Sequence, residues 1–188
     1  MKRNMAELTY GIRSPLDLLE KLKQESRDIG AFPEPFKLFN FILTAAALNE
    51  WTLKVYSEAI SDDLENGLCR KTYEGLPVET ENWIIDKNCL PNSGCDVRKH
   101  VFNVLSICWG TANASKHFHW TKDCPVVSID EEPIIDDFYK YFFTSISPGI
   151  YIDIAGEYYN VEQIRDILLQ FYPKLLEYLE AMCCADSM

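Results

Sequence analysis

The amino-acid sequence predicts a mainly α-helical bundle, built on two antiparallel long helices, with a small antiparallel β-meander before the last helix. Three observations predict it. Apolar residues recur at helical spacing over about 36–60 and again over about 97–117. Between Cys124 and Asn160 the period shortens to two, as in strands. Beyond Asn160 a third helical stripe runs to Met182.

The chain has 188 residues, enough for one well-buried core, so one domain over 1–188 is expected, with the meander inserted at about 126–159. An apolar fraction of 47% is what a folded protein needs to offset its ordering entropy. The net charge of -11 repels polyphosphates and disfavours broad nucleic-acid affinity unless a local basic patch overrides it. Seven cysteines form an odd set, and Met1 to Tyr10 hold no apolar signal-peptide core, so reduced thiols in a cytoplasmic protein are expected. The most apolar run, Phe36 to Ala47, is interrupted by Lys37 and Asn40 and is too short for a bilayer, so no membrane association is expected.

Ser14-Pro15-Leu16-Asp17 opens the first helix: Ser caps, Pro suits the first turn and Asp faces the positive helix end. Leu18, Leu19 and Leu22 form its apolar side, and Gly30 is expected to stop it. After Pro33-Glu34-Pro35, the first long helix is expected from Phe36 to about Ile60, with Phe39, Leu43, Ala46, Ala47, Glu50 and Trp51 recurring at helical spacing. Residues 61–93 read as a connecting excursion punctuated by Gly67, Gly75, Pro77 and Pro91, with short helices near Asp62–Arg70 and Glu79–Asn88. Asn92 or Ser93 is expected to cap the second long helix, whose stripe is Val97, Val101, Val104, Leu105, Cys108, Trp109 and Ala112, ending near His117.

The alternation from Phe138 to Thr144, the Ser147-Pro148-Gly149 turn, and Ile150, Ile152 and Ile154 read as strands, with Ala155-Gly156 as the next turn. Asn160 and Gln163 have capping-box spacing, and Ile164, Leu168, Phe171, Leu175, Leu179 and Met182 define the final helix, which Pro173 should kink.

The densest group of chemically capable side chains runs from Asn113 to Lys122 and holds two of the three histidines. Asn113, Lys116 and His117 stand at i, i+3 and i+4 and share one helix face. His supplies an acid or base near neutral pH, Lys neutralises a phosphate, and Asn orients either, a set suited to binding or cleaving a phosphodiester. The bland alternative has Asn113 and His117 bonding across helices while Lys116 complements its helix's negative end. Glu50 and Trp51 on the first long helix, with His119 and Trp120 beyond the second, are further ligand-binding candidates. An acid within an apolar stripe either needs a partner, which Lys116 or His117 could supply, or sits at the solvent edge.

His117 and His119 with Cys124, Cys89 and Cys95 do not have zinc-site spacing, because no CxxC pair exists and HxH on a helix splays its rings. No metal and no cofactor are expected. Cys183-Cys184 lacks a basic neighbour to activate a thiol.

The helix ending Asn49-Glu50-Trp51, followed by one ending Ala112-Asn113-Ala114-Ser115-Lys116-His117, resembles the HEPN superfamily of helical-bundle proteins, many of them ribonucleases of host defence and toxin-antitoxin systems. The family motif is an Arg, usually followed by a polar residue, with His four to six residues beyond the Arg. Here Asn113 and His117 match, while Ala112 takes the place of the Arg. The resemblance implies a homodimer joined through the long helices, with a shared groove. Without the Arg to stabilise phosphate charge, it implies a non-cleaving binder of RNA, a nucleotide or a protein partner. Two alternatives stay open: an active metal-independent ribonuclease using His117, and a structural or interaction module without a ligand site.

Overall fold

A computed structural model describes residues 11–91, 96–117, 126–130, 150–154 and 156–185, with the backbone alone at 115–117, 126–130 and 185. It is mainly helical with one small sheet before the last helix. Helix α1 spans Pro15–Glu25, α2 Pro35–Val55, α3 Asp62–Leu68, α4 Thr80–Trp83, α5 Val97–His117 and α6 Val161–Ala185. Strands β1 (Val126–Asp130), β2 (Tyr151–Ile154) and β3 (Glu157–Asn160) pair antiparallel in the order β1-β2-β3.

Capping chemistry places most helix starts where the sequence predicts them. Ser14 and Asp17 form a full capping box on α1. Asn160 Oδ1 accepts from the Gln163 amide at 2.7 Å, and Gln163 Oε1 accepts from the Asn160 amide at 2.9 Å, which fixes the turn from β3 into α6. The start of α5 differs from expectation. Its cap is Asp96, whose Oδ1 accepts from the Arg98 amide at 2.9 Å, while Asn92 and Ser93 lie outside the described residues.

Three helix ends come early. Helix α1 tightens into a 3₁₀ turn at Ser26–Asp28 before reaching Gly30, α2 stops at Val55, and the helix expected over Glu79–Asn88 is only α4 followed by a 3₁₀ turn at Lys87–Cys89. Helix α6 runs through Pro173.

The first described strand is β1, upstream of the alternating Phe138–Thr144 segment; that segment and the Ser147-Pro148-Gly149 turn lie outside the described residues. The turn at Gly156 is as expected. Its φ of +79° is one glycine adopts without strain, and its amide donates to Asp153 Oδ1 at 3.2 Å. The Ile150 amide donates to the Ala31 carbonyl at 3.0 Å, tying the sheet to the loop ahead of α2.

Helix α1 packs on α2, α2 on α5, and α5 on α6, and side chains from these helices and the sheet join one buried cluster. The stripes of α5 and α6 lie largely as expected, except that Trp109 is exposed and Met182 only half-buried. Helix α2 corrects the sequence reading. Its buried face carries Leu38, Phe41, Ile42, Ala45, Leu48, Asn49 and Thr52, whereas Phe39 and Glu50 are exposed and Leu43, Ala47 and Trp51 half-buried.

Candidate functional site

The site begins with a local backbone rule at the end of α3. The Lys71 amide donates to the Asn66 carbonyl at 2.9 Å and the Arg70 amide to the Gly67 carbonyl at 3.1 Å, the paired bonds of a Schellman stop. That stop puts the residue after the cap in the left-handed region, where glycine is usual. Here it is Arg70, with φ of +60°.

Glycines set how close this turn approaches the rest of the fold. A Cβ on Gly67 would lie 2.7 Å from the Leu76 nitrogen, and one on Gly75 would lie 2.2 Å from the Asp63 carbonyl oxygen. Backbone therefore packs on backbone where the 3₁₀ turn Tyr73–Gly75 crosses α3. Gly67 and Gly75, read from sequence as punctuation, serve as contact points.

So held, the Arg70 guanidinium reaches α5. Its Cζ sits 4.5 Å from the centroid of the Trp109 ring, a cation–π contact. Nη1 donates to the Leu68 carbonyl at 3.3 Å, and among the described residues this is its one hydrogen bond and no carboxylate forms a salt bridge with it. Burial pulls its pKa below the ordinary arginine value, with partial opposition from Cys69, Tyr172 and Glu50.

The same Leu68 carbonyl accepts from Asn49 Nδ2 at 2.9 Å. That bond fixes the orientation of the amide, and Asn49 Oδ1, on a side chain 5% exposed, is left without a partner. Ala46, Asn49 and Glu50 of α2, Arg70, Leu105, Cys108 and Trp109 of α5, and Tyr172 of α6 line a pocket of ≈ 220 Å³, counted out to open solvent. In the present side-chain arrangement its enclosed part admits no more than one water molecule.

Two lining groups are locked in the neutral form. Burial pushes the Cys108 thiol up to about 12, and pushes the Tyr172 phenol well above its ordinary value while its hydroxyl donates to the Ala45 carbonyl at 3.0 Å. Neither is an available nucleophile or acid near neutrality. The pocket thus offers one cation (Arg70), one carboxylate (Glu50), one unpartnered amide oxygen (Asn49) and one aromatic face (Trp109).

Among the residues predicted from sequence, Glu50 lines this pocket. It is exposed, so it needs no buried partner, and its charge partly offsets the lowering of the Arg70 pKa. Trp51 is half-buried against the core and does not line the pocket. Asn113 is half-buried on α5, one turn beyond Trp109. Lys116 and His117 occupy the last two positions of α5, and His119 and Trp120 lie outside the described residues.

The chain matches no family model, no curated protein and no solved structure.

A second polar cluster escaped the sequence reading. Fully buried His100 places Nδ1 2.6 Å from the Tyr159 hydroxyl, which also accepts from Asn103 Nδ2 at 3.1 Å. His100 Nε2 has no partner, and burial depresses the imidazole pKa. This cluster joins α5 to β3 inside the core. Its sequence signal was present: His100 and Asn103 fall at i and i+3 within the Val97–Ala112 stripe.

Arg70 had a weaker signal, because a Schellman stop is normally read from glycine at the position Arg70 fills. No group of three metal-ligating side chains occurs among the described residues, and none of their helices is long and apolar enough to cross a membrane.

Proposed function

We propose that this chain is a non-cleaving, HEPN-like binding module for a nucleotide or a short single-stranded RNA, acting as a homodimer. The observation that carries the reading is the line of groups along one side of α5. Trp109 is exposed with Arg70 stacked on it, and Asn113 follows one turn later. Backbone positions 109, 113 and 116 fall within roughly 60° of helical arc, which aligns the Arg70–Trp109 pocket with the polar helix end. An aromatic platform beside a cation suits a nucleobase that takes the ring face and accepts from the cation.

Two features favour binding over cleavage. Ala112, at the place of the family's Arg, is buried, so that position offers no outward cation. Arg70 does not replace it, because Trp109 and position 117 are eight residues apart, about 12 Å along the helix axis. That spacing is longer than the four to six residues by which His follows the Arg in the family motif. The net charge of -11 limits the partner to a short ligand that meets the local cation.

Self-association has its own support. Phe36 is 81% exposed, and with Phe39 and half-buried Leu43 it leaves an apolar stripe on the outward side of α2.

The test is fluorescence anisotropy with labelled RNA of six to ten bases, run beside a gel assay for cleavage with and without chelator. Saturable binding with intact RNA is expected. Cleavage abolished by His117→Ala would replace this reading with the ribonuclease one, and no binding of RNA or nucleotide would leave an interaction module.

A further inference from the structure

The pocket between α2 and α5 has a donor and acceptor pattern selective enough to name a ligand group. A simple anion is poorly matched, because Glu50 and Asn49, the latter with an unpartnered oxygen, line the same pocket as Arg70. A simple cation meets Arg70. The pocket suits a planar, neutral group that presents acceptors on one edge and N–H donors on the next, with a face for the Trp109 indole.

Among nucleobases, guanine carries that pattern. Its O6 and N7 accept from a guanidinium fork, and its N1–H and N2–H₂ donate to a carboxylate or amide oxygen. Adenine offers N–H donors where O6 would stand, and uracil and cytosine lack the second ring that covers an indole.

Resting on the nucleotide-binding reading above, we infer that Arg70, Glu50, Asn49 and Trp109 form a guanine-selective site. Arg70 reads the O6/N7 edge and Glu50 the N1/N2 edge, while Asn49 Oδ1 accepts a remaining donor or the water that bridges to it. Because the enclosed space is now so small, the base enters by displacing the Arg70 guanidinium from the indole. That group is held by one 3.3 Å hydrogen bond and the ring face. Its backbone, fixed by the Schellman stop and the Gly67–Gly75 approach, stays put as the pivot.

The experiment is calorimetric titration of the full chain with GMP, IMP and AMP, and with otherwise identical trinucleotides carrying central G or A. GMP is expected to bind about tenfold or more tighter than AMP, with IMP between, since it keeps O6, N7 and N1–H but lacks the N2 amine. Arg70→Lys should erase the GMP preference over AMP, and Glu50→Gln the preference of GMP over IMP, in proteins whose melting temperatures match the wild type. Preference seen only in the trinucleotides assigns the site to RNA, and preference seen with GMP assigns it to free nucleotide; either supports the guanine site. Equal binding of G and A ligands overturns it while leaving nucleotide binding intact. Absence of binding by every ligand overturns both.

Discussion

Asn49 and Arg70, from different elements, donate to one acceptor, the Leu68 carbonyl oxygen, at 2.9 and 3.3 Å. That oxygen belongs to the last turn of α3, where helix carbonyls lack intrahelical partners. Satisfying it from both sides ties α2 to the turn that aims Arg70 at α5. The arrangement engages the Asn49 amide nitrogen and leaves its buried oxygen without a partner.

Arg70 occupies a backbone conformation that costs a non-glycine residue about 1–2 kcal/mol, and its ring contact returns about 0.5–1 kcal/mol. Arg70→Gly relieves the first and loses the second, so chemical denaturation should find it within about 1 kcal/mol of wild type. Arg70→Ala keeps the strain and loses the contact, and should be about 1 kcal/mol less stable. Both should lose ligand binding. An Arg70→Gly protein that binds as wild type would show that the side chain serves only the fold.

The close approach at Gly67 and Gly75 has no room for a methyl group. Gly67→Ala and Gly75→Ala must move backbone rather than a flexible side-chain tip, so each should destabilise by about 1–3 kcal/mol or more. Urea unfolding checks the magnitude. A stability unchanged within error would mean that the two segments separate easily.

Acid sensitivity should come from His100. Its folded pKa is depressed by burial, partly offset by Glu157 and Asp96 and reinforced by Lys99. Below the unfolded value of about 6.5, the unfolded chain therefore binds more protons than the folded one, and stability falls as pH drops from about 6.5 toward the folded pKa. Melting from pH 7.5 down to 5 should show a downward slope that His100→Gln flattens. The same slope in the variant would assign it to other groups.

On the outward side of α2, Phe36→Glu with Phe39→Glu should convert a dimer to a monomer in light scattering while the helical circular dichroism is kept, because both side chains are exposed. A double variant that stays dimeric would place the interface elsewhere.

Legibility in the sequence followed the locality of the physics. Capping boxes at Ser14–Asp17 and Asn160–Gln163 involve neighbours in the chain and were readable, as were the stripes of α5 and α6, which carry apolar residues mainly on one side. Helix α2 misled because it is apolar nearly all round. Phe36, Phe39 and Leu43 compete with Leu38, Phe41 and Ile42 for the core, and buried Thr44, Asn49 and Thr52 carry no apolar signal.

Of the pocket lining, Glu50 stood out in the sequence, as an acid inside an apolar helical stripe. Arg70 did not, because its position depends on a left-handed turn without glycine and on the contact between Gly67 and Gly75, which are eight residues apart.

Trp109 is the residue on which the account turns, and its indole N–H reports directly. In a proton–nitrogen correlation spectrum of the full chain, with that resonance assigned by Trp109→Phe, a saturating short single-stranded RNA should shift the Trp109 signal more than those of Trp51 and Trp83. A ligand that binds while the Trp109 resonance stays fixed, or shifts only with the other tryptophans, would contradict the site.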